Sequence, residues 1–556
     1  MRNNPNLISS FLCAIFFLGS VWPVSGLGAT QETEEPLNYG RQARSTTPTL
    51  VREPGKPLTK REKVHHLLSR ATFGVTGEQV DQVVEMGLDE WLETQLEGEL
   101  AEPANLMQRL EQLESLPLST QEIVQKYNRK EERSLRRVPS SELKDAVLLL
   151  AVYSENQLKE VMCDFWRNHF NVDCSKGNVR YYATTYERDV IRAEVMGTFE
   201  RMLNKEARHP AMLVYLDNYL SRVPPTSELR KVGQQTLMTT RDYGAALVAI
   251  DIAKMRGINE NYARELMELH TLGVDNYYTQ DDVISVANAL TGWTVQQNPE
   301  KPIQFRFRPE MHSTENRVFL KKLLPAIPRS PELEGQAILN ALAQHRGTAR
   351  FISYKLCRHL VNDSPTEKMS RDVANVFGRR KTELPPVYEE ILDHRDFNDP
   401  ENYQSKFKRP FEFVVSALRV TNAEITDTGQ IHRTLLSLGE PIYQCEDPTG
   451  YYDHADAWRD PGVMVNRWKF GIQLGSGKLR GVDIPSSFWD GFEPGNPQQW
   501  KQILIERVLP GGCSQRTSDA LDAFIKRDFA KSTGKPEQTG GYMLGLLLGS
   551  PEFQRQ

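Results

Sequence analysis

Residues 259–273 have the sequence NENYARELMELHTLG, which predicts an amphipathic α-helix. Its apolar residues recur at helical spacing and form one stripe: Tyr262, Leu266 and Leu269. Asn259 or Asn261 can cap the start of the helix, and Gly273 suits the left-handed conformation that often ends one. The stretch therefore combines an apolar face with a start signal and a stop signal.

The same helical spacing continues along most of the chain. The predicted helices cover residues 58–73, 76–96, 104–115, 141–171, 187–205, 245–255, 259–273, 280–290, 334–345, 348–362, 367–378, 384–394, 405–422, 431–438, 461–474, 499–508 and 516–530. Strand signals are sparse, apart from a short hairpin around Phe305 and Phe307, and residues 224–240 and 439–460 are expected to be long loops. The sequence thus predicts a mainly α fold, with a single large multi-helix domain over residues 58–556, long irregular loops and little β-structure.

The N-terminal residues 1–26 have the features of a secretory signal peptide. Arg2 is followed by an apolar run from Leu7 to Val21 and by small residues near Ser25 at which cleavage is expected. The alternative is a membrane anchor, but the run is shorter than the roughly 20 residues that a span needs. Residues 27–57 lack apolar periodicity and are expected to form a flexible leader. We therefore expect an exported protein, periplasmic or extracellular, with no transmembrane span in the mature chain.

The composition argues against two classes of protein. Lys and Arg number 68 and Asp and Glu 73, so no basic excess exists to attract nucleic acid. A chain that is 39% hydrophobic and 556 residues long can bury a large core, which excludes wholesale disorder.

Once the signal peptide is removed five cysteines remain, which is too few for a disulfide scaffold. Cys163 and Cys174 flank one helix end and could form a bridge.

The sequence signatures of several common enzyme classes are missing. The chain contains no His-Glu-x-x-His zinc motif and no Gly-x-Ser-x-Gly nucleophile turn. Glu206-x-x-His209 has the spacing of a di-iron ligand pair, but Pro210 follows directly and suggests a helix end. These results lower the expectation of a familiar enzyme class without excluding an unfamiliar one.

The catalytic candidates are Glu265, Asp217 and His270. Glu265 lies outside both the apolar stripe of its helix and the ion-pair ladder that Glu260, Arg264 and Glu268 can form. Five residues correspond to about 140° of helical rotation, so Glu265 and His270 cannot point to one place. Any site must therefore be assembled from several segments. Asp217 is the candidate partner of Glu265 for acid–base chemistry, with helix capping as the alternative role.

The candidate binding residues come from the same helix and from other segments: His66, Arg70, His169, Asn218, Asn261, Arg264, Glu268 and His312. His169 shares a helical face with Phe165, so a place in the core is its alternative role. Asp453 and His454 stand close together in the loop 439–460. Because carboxylate and imidazole groups together suit a divalent cation, a metal ion is one alternative, and the cofactor otherwise stays open.

Several ordered motifs resemble a known bacterial exported family, catalogued as domain of unknown function 1800. The motifs are His66–Gly74, Phe165–Phe170, His209–Asn218, Asn259–Val274, Tyr278–Gln280, Leu290–Trp293, Phe407–Pro410 and Gly549–Phe553. The resemblance spans residues 60–556 and implies an exported, largely helical protein of undetermined activity. It also implies a partner, because genes of this family often neighbour those of a second exported, sulfatase-like family.

The chain departs from the pattern of that family at three places. Ser313 follows His312 where the family usually has Asp, and Tyr451 stands where it usually has Trp. The segment Ser221–Gly257 is longer than usual. No established catalytic residue of the family can be transferred to this sequence.

Two functions follow as expectations. The first is a binding or assembly component that works with an exported partner, for which tryptophans could supply interface anchors or else pack in the core: Trp91, Trp293, Trp458, Trp468 and Trp489. The alternative is an extracytoplasmic hydrolase that uses a Glu/Asp/His cluster and acts on polysaccharide. The sequence alone does not decide between them.

Overall fold

The computed structural model describes residues 56–129, 131–274, 277–296, 298, 300–314, 317–324, 330–528 and 539–556. The predicted signal peptide and all but the last two residues of the predicted leader lie outside them. All of the described residues fall within a single compact unit, Thr49–Gln556.

The protein is mainly α-helical, as predicted, with 62% helix and 4% strand. The described residues form these α-helices: α1 (Lys60–Ala71), α2 (Gly77–Met86), α3 (Leu88–Glu97), α4 (Ala104–Glu111), α5 (Thr120–Tyr127), α6 (Val138–Tyr153), α7 (Gln157–His169), α8 (Val179–Tyr186), α9 (Phe199–Arg208), α10 (Pro210–Tyr215), α11 (Thr226–Thr240), α12 (Tyr243–Arg256), α13 (Glu260–Glu268), α14 (Gln280–Ala289), α15 (Glu332–Ala343), α16 (Arg346–Leu360), α17 (Glu367–Arg379), α18 (Pro385–Asp393), α19 (Pro410–Val420), α20 (Gly429–Leu438), α21 (Pro461–Gly475), α22 (Pro497–Val508), α23 (Gln515–Asp528) and α24 (Gly541–Leu548). A π-helix, Glu187–Arg192, follows α8. No helix of the described residues has both the length and the apolar character needed to cross a membrane.

Strands form three short antiparallel pairs in the described residues. They are β1 (Trp293–Val295) with β2 (Phe305–Phe307), β3 (Arg317–Phe319) with β4 (Lys322–Leu324), and β5 (Glu424–Ile425) with β6 (Val482–Asp483). The predicted hairpin around Phe305 and Phe307 is confirmed, and Phe307 pairs with the buried Trp293.

Helix starts follow from local side-chain chemistry. Four helices begin with a reciprocal capping box, in which a Thr or Ser side chain and the residue three positions later each bond a backbone N–H group: Thr59 with Glu62, Thr76 with Gln79, Ser119 with Glu122, and Thr279 with Asp282. Asn259 caps α13 by accepting a hydrogen bond from the N–H of Tyr262 at 3.0 Å. These starts are encoded locally, which is why the sequence predicts most of the helices.

The prediction of a loop over residues 224–240 is wrong, because α11 spans most of it. The apolar residues of α11 recur at helical spacing and lie on one side of the helix: Leu229, Val232 and Leu237. Gly233 allows a close approach to α12, since a Cβ atom there would lie 2.8 Å from Cδ1 of Ile250. The polar composition of the segment hides this sparse apolar stripe. The result is a helical hairpin, α11–α12.

The helix predicted over 259–273 ends at Glu268. The N–H of His270 bonds the carbonyl of Glu265 at 3.1 Å, and the N–H of Leu272 bonds that of Met267 at 2.7 Å. These wider turns close the helix before Gly273, which has a φ of 87°. Because the helix ends early, the side chain of His270 lies buried in the protein core.

The sequence left open a bridge between Cys163 and Cys174, but in the structure both thiols are free and buried. Cys163 lies beside the charges of Arg192 and Glu160, whereas Cys174 lies beside Lys144. The two side chains therefore face different surroundings. Burial raises the pKa of each thiol to about 12.

Helix α7 lies at the centre of the polar interior. Phe165 and His169 lie on one face of it, next to α16 and the end of α13. Asp164 and Arg167 lie on the other face, where Arg167 pairs with Asp164 at 3.1 Å and with Glu187 of the π-helix at 3.0 Å. The first face carries the candidate site.

Candidate active site

His169 lies at the end of α7 among aromatic rings. Its imidazole is stacked parallel to the ring of Phe165, with centroids 6.0 Å apart, as the spacing of four residues predicts. The rings of Trp166 and Phe170 approach it edge-on, at 5.3 Å and 4.5 Å. These contacts hold the plane of the imidazole and leave its two nitrogen atoms for polar partners.

The two nitrogen atoms of His169 have different partners. Nε2 lies 3.2 Å from the carbonyl oxygen of His270 and must carry the proton, because a carbonyl can only accept. Nδ1 is therefore the acceptor, and it lies 2.9 Å from Nζ of Lys355. The backbone of His270 thus fixes the tautomer of His169, and Lys355 donates a hydrogen bond to it.

The imidazole of His270 faces a carboxyl group in the core. Its Nδ1 lies 3.4 Å from Oε1 of Glu206 on α9, and both side chains are buried. Neither carboxyl oxygen of Glu206 has a hydrogen-bond partner among the described residues. Burial raises the pKa of Glu206 well above its ordinary value, and burial and the charge of Lys355 lower the pKa of His270 to about 3. Burial thus favours the uncharged form of both groups.

Lys355 connects this interior to the surface. Its side chain is partly exposed on α16, and Nζ lies 5.6 Å from the ring centre of Phe351. Burial lowers the pKa of Lys355 to about 8, with the carboxylate of Asp453 acting against this and Arg358 adding to it. A lysine with this pKa is neutral in about a tenth of the molecules at pH 7, so it can act as a base.

Asp453 belongs to a second polar group beside Lys355. Its carboxylate lies 3.0 Å from Nδ1 of His359 and 2.8 Å from Nζ of Lys406. Burial acts to raise the pKa of Asp453, but Lys406 and His359 outweigh it and hold the pKa well below its ordinary value. His359 contacts Phe165, with ring centres 5.2 Å apart. Asp453 is thus a fixed negative charge near Lys355.

Together, Lys355, His169, His270 and Glu206 form a chain of polar groups from the surface into the core, which we call the Lys355–Glu206 chain. Burial favours the uncharged form in three of its four members, His169, His270 and Glu206. No group of three or more His, Cys, Asp or Glu side chains in the described part of the chain could hold a metal ion. The chemistry that these groups can perform is the uptake and release of protons.

Among the catalytic candidates, only His270 belongs to the Lys355–Glu206 chain. Asp217 is exposed and pairs with Lys176 at 2.8 Å. Glu265 is partly exposed, and burial together with the charges of Glu268 and Asp447 raises its pKa. The structure therefore gives Asp217 and Glu265 different neighbours.

The candidates on α13 form a surface network. Arg264 pairs with Glu268 at 3.2 Å, which confirms that part of the predicted ladder. Gln280 connects the network to α14, because it accepts a hydrogen bond from Arg264 at 2.8 Å and donates one to Glu260 at 2.9 Å. Asn261 is exposed on the same helix.

His66 and Arg70 lie buried on α1, away from solvent. Nε2 of His66 lies 2.9 Å from the carbonyl oxygen of Phe397, whose ring is 4.4 Å from the imidazole. Arg70 donates a hydrogen bond to the carbonyl of Asn402 at 3.3 Å. Burial lowers the pKa of Arg70 to about 9, against the charges of Glu412 and other carboxylates. Both residues connect α1 to the segment that follows α18.

Asn218 and His312 hold the β1–β2 region in place. The amide of Asn218 donates to the carbonyl of Trp293 at 3.3 Å. Nδ1 of His312 lies 2.8 Å from the carbonyl of Thr291, and Nε2 lies 3.2 Å from the carboxylate of Glu334. Both side chains are buried and make structural contacts.

Sequence reasoning missed two members of the chain and one neighbour: Lys355, Glu206 and His359. Glu206 drew attention only as part of a common Glu-x-x-His pattern. The sequence of α16 carries no signal that singles out Lys355, because the same helix also contains Arg346, Arg350 and Arg358. Lys355 is 186 residues from His169 in sequence, so only the fold shows that they meet.

The fold and this site define a mainly α-helical protein with a lysine–histidine–glutamate chain that leads from the surface into the core. The protein belongs to the family described as protein of unknown function (DUF1800), whose sequence model matches residues 66–555. The match runs from within α1 to beyond α24 and confirms the resemblance that the motifs indicated. No curated protein and no solved structure that was compared with the chain matches it.

Proposed function

We propose that this protein is an exported hydrolase of acyl esters, with Lys355 as the catalytic base and His169 as its positioning residue. The observation that carries this proposal is the 2.9 Å contact between Nζ of Lys355 and Nδ1 of His169, whose tautomer the His270 carbonyl fixes. The predicted signal peptide supports export. Esters on extracellular polysaccharide are the substrates that best fit this location.

The reaction would use the neutral form of Lys355. One N–H of the amine is directed to His169, which leaves the lone pair available for a water molecule. The amine takes a proton from this water as the water oxygen bonds to the acyl carbon. When the bond to the alcohol oxygen breaks, the ammonium returns the proton to the leaving alkoxide. The products are the carboxylic acid and the alcohol.

Cleavage of glycosidic bonds is less well supported than ester hydrolysis. That reaction needs two carboxyl groups on either side of the bond, about 5 to 10 Å apart. Of the two candidate carboxylates, Asp217 pairs with Lys176 at the surface, and Glu265 lies near Glu268 and Asp447. The Lys355–Glu206 chain itself contains only one carboxyl group, and that group is buried.

The test is turnover of aryl esters and of acetylated polysaccharides by the purified protein. Lys355→Met should lower kcat/KM by roughly 100-fold or more, the usual contribution of a general base. Lys368→Met is the matched control, because Lys368 is an exposed lysine on α17 that pairs with Asp372, and it should leave turnover unchanged. Thermal unfolding of each variant shows whether it is folded.

Two results would overturn this proposal. One is the absence of turnover by the wild type across the substrates. The other is full activity of a folded Lys355→Met variant. Glu265→Gln is a useful third variant, because a loss of turnover there would transfer the role of base from Lys355 to Glu265.

The second candidate function is the predicted binding or assembly role with an exported, sulfatase-like partner. Trp293, Trp458 and Trp489 are buried, but Trp468 on α21 is 50% exposed. Other exposed apolar side chains lie on α21 and on α24, which packs against it: Val465, Ile472, Tyr542 and Leu546. A half-exposed Trp in an apolar patch is typical of an interface anchor.

Co-purification from native envelope fractions tests this second function. A specific partner should be retained by the wild type and by Tyr452→Ala, which changes an exposed aromatic residue elsewhere. It should be lost from Trp468→Ala. Purification of the wild type without any partner would contradict the assembly role.

A further inference from the structure

The hairpin α11–α12 exposes far more apolar side chain than its fold requires. At the base of the hairpin the N–H of Arg222 bonds the carbonyl of Gly257 at 2.8 Å, and the N–H of Val223 connects the hairpin to the rest of the described structure by bonding the carbonyl of Met311 at 2.8 Å. Seven large apolar residues of the hairpin are between 39% and 83% exposed: Leu237, Met238, Tyr243, Leu247, Val248, Ile252 and Met255. Among the residues of α12, only Ala246 is buried.

The two helices differ in their composition. The outer face of α11 is polar, with exposed charged and amide side chains such as Glu228, Arg230 and Gln234. By contrast, α12 has apolar residues on all sides, although α11 covers only one of them. A helix that is apolar all round is normally buried. The uncovered side of α12 therefore needs a partner.

The exposed area matches what a stable dimer buries. If a large side chain contributes about 200 Å², the seven residues expose on the order of 800 Å². The largest apolar patch on a monomeric protein is usually about 300–600 Å². A standard interface buries about 800 Å² on each partner. The hairpin thus exposes about as much apolar area as one side of such an interface buries, and α12 carries five of the seven residues.

The uncovered side of α12 is complementary to itself. Its exposed residues are spaced by three, one, three, one and three positions: Gly244, Leu247, Val248, Asp251, Ile252 and Met255. This spacing is the same in both directions, so two antiparallel copies of α12 can face each other about a twofold axis. Leu247 of each copy would then lie opposite Ile252 of the other, Val248 opposite Asp251, and Met255 opposite the space left by Gly244.

The charges at the two ends of α12 fit the same arrangement. Asp242 precedes the helix and Arg256 ends it, so the antiparallel pairing brings each Asp242 close to an Arg256. Tyr243, which is 70% exposed, would lie next to the same guanidinium group. A parallel pairing would instead bring like charges together.

We propose that the occupant of this face is a second copy of the chain, and that two hairpins pair antiparallel into a four-helix bundle that makes the protein a dimer. Such a bundle covers α12 on both sides, by α11 of its own chain and by α12 of the other. The proposal does not depend on the hydrolase activity proposed above.

Sedimentation equilibrium of the purified full-length mature protein tests this proposal. The wild type should be a dimer at about 10 µM, and Leu247→Glu should weaken the dimer at least about 100-fold, because the twofold axis places the charge in the interface twice. Leu436→Glu is the matched control, since Leu436 is 62% exposed on α20; this variant should stay dimeric. In a folded Val248→Cys variant, oxidation should give a cross-linked dimer that the wild type does not give.

Three outcomes would overturn the proposal. The first is a wild type that stays monomeric up to about 100 µM. The second is a dimer that Leu247→Glu leaves intact, which would place the interface elsewhere. The third is a monomer that floats with vesicles of anionic phospholipid and loses this binding in Leu247→Glu, which would make a membrane surface the occupant.

Discussion

Replacement of Glu206 by Gln should change the way in which the stability of the protein depends on pH. Glu206 is fully buried, and neither of its carboxyl oxygens has a hydrogen-bond partner among the described residues. Burial raises its pKa well above the ordinary value. The folded protein therefore keeps a proton on Glu206 at pH values where the unfolded chain has lost it.

The expected magnitude follows from this difference in bound protons. Glu206 has a pKa of about 4.3 in the unfolded chain and a higher pKa in the folded protein. At pH values between the two, folding takes up one proton at Glu206, so the free energy of unfolding falls by about 1.4 kcal/mol for each pH unit. Glutamine has no proton to lose. The free energy of unfolding of Glu206→Gln, relative to the wild type, should therefore increase by up to about 1.4 kcal/mol from pH 5 to pH 6.

The neighbouring His270 titrates in the opposite sense. Its pKa is lowered to about 3, so its contribution to stability is lost as the pH falls below about 6.5. Because His270 is present in both proteins, the difference between wild type and variant isolates the contribution of Glu206.

Urea unfolding at pH 5, 5.5 and 6 measures this effect. Glu200→Gln is the matched control, because Glu200 lies on the same helix and is partly exposed; its difference from the wild type should not vary over this range. If Glu206→Gln also shows a constant difference, Glu206 is ionised in the folded protein, and the uncharged Glu206–His270 pair described above is incorrect.

Three further predictions concern the site. The value of kcat/KM should rise with pH and level off above about 8, because only neutral Lys355 accepts a proton; a flat profile between pH 6 and 9 would contradict the role of Lys355 as base. Asp453→Asn should shift this rise to lower pH, because the Asp453 carboxylate stabilises the charged form of Lys355; a midpoint that is unchanged or higher would show that this charge does not act on Lys355. Asp217→Asn should change the free energy of unfolding by less than about 1 kcal/mol and leave turnover intact, because its pair with Lys176 is exposed; lost turnover would return Asp217 to the site.

The uncharged state of the interior has a consequence for the proposed reaction. Histidines 169 and 270 keep low pKa values because burial disfavours their charged forms and Lys355 adds to the effect. Because both imidazoles stay neutral, neither competes with Lys355 for a proton. His169 accepts a hydrogen bond from Lys355 in both its ammonium and its amine form. The aromatic rings around His169 preserve this geometry in both states.

Part of the candidate site could be predicted from the sequence. The motif Phe165–Phe170 and the stretch 259–273 both stand out in the sequence, and their histidines do meet, with ring centres 6.1 Å apart. The sequence also suggests Glu265 and Asp217 as a pair, but each has other neighbours in the fold. Lys355 could not have been selected, since a lysine on a helix is usually a surface residue and nothing in its local sequence reports burial.

What the sequence determined by itself is the set of local structures. Apolar residues at helical spacing, together with caps such as Thr59 and Asn259, specify helices through contacts within a few residues, so most of them and the α class could be predicted. Only the tertiary structure decided which polar groups meet. His169 joins the carbonyl of a residue 101 positions away and a lysine 186 positions away, and no local interaction encodes such distant pairs. The packing of α7 against α9, α13 and α16 selects them, because burial there removes water and leaves these groups only one another as partners.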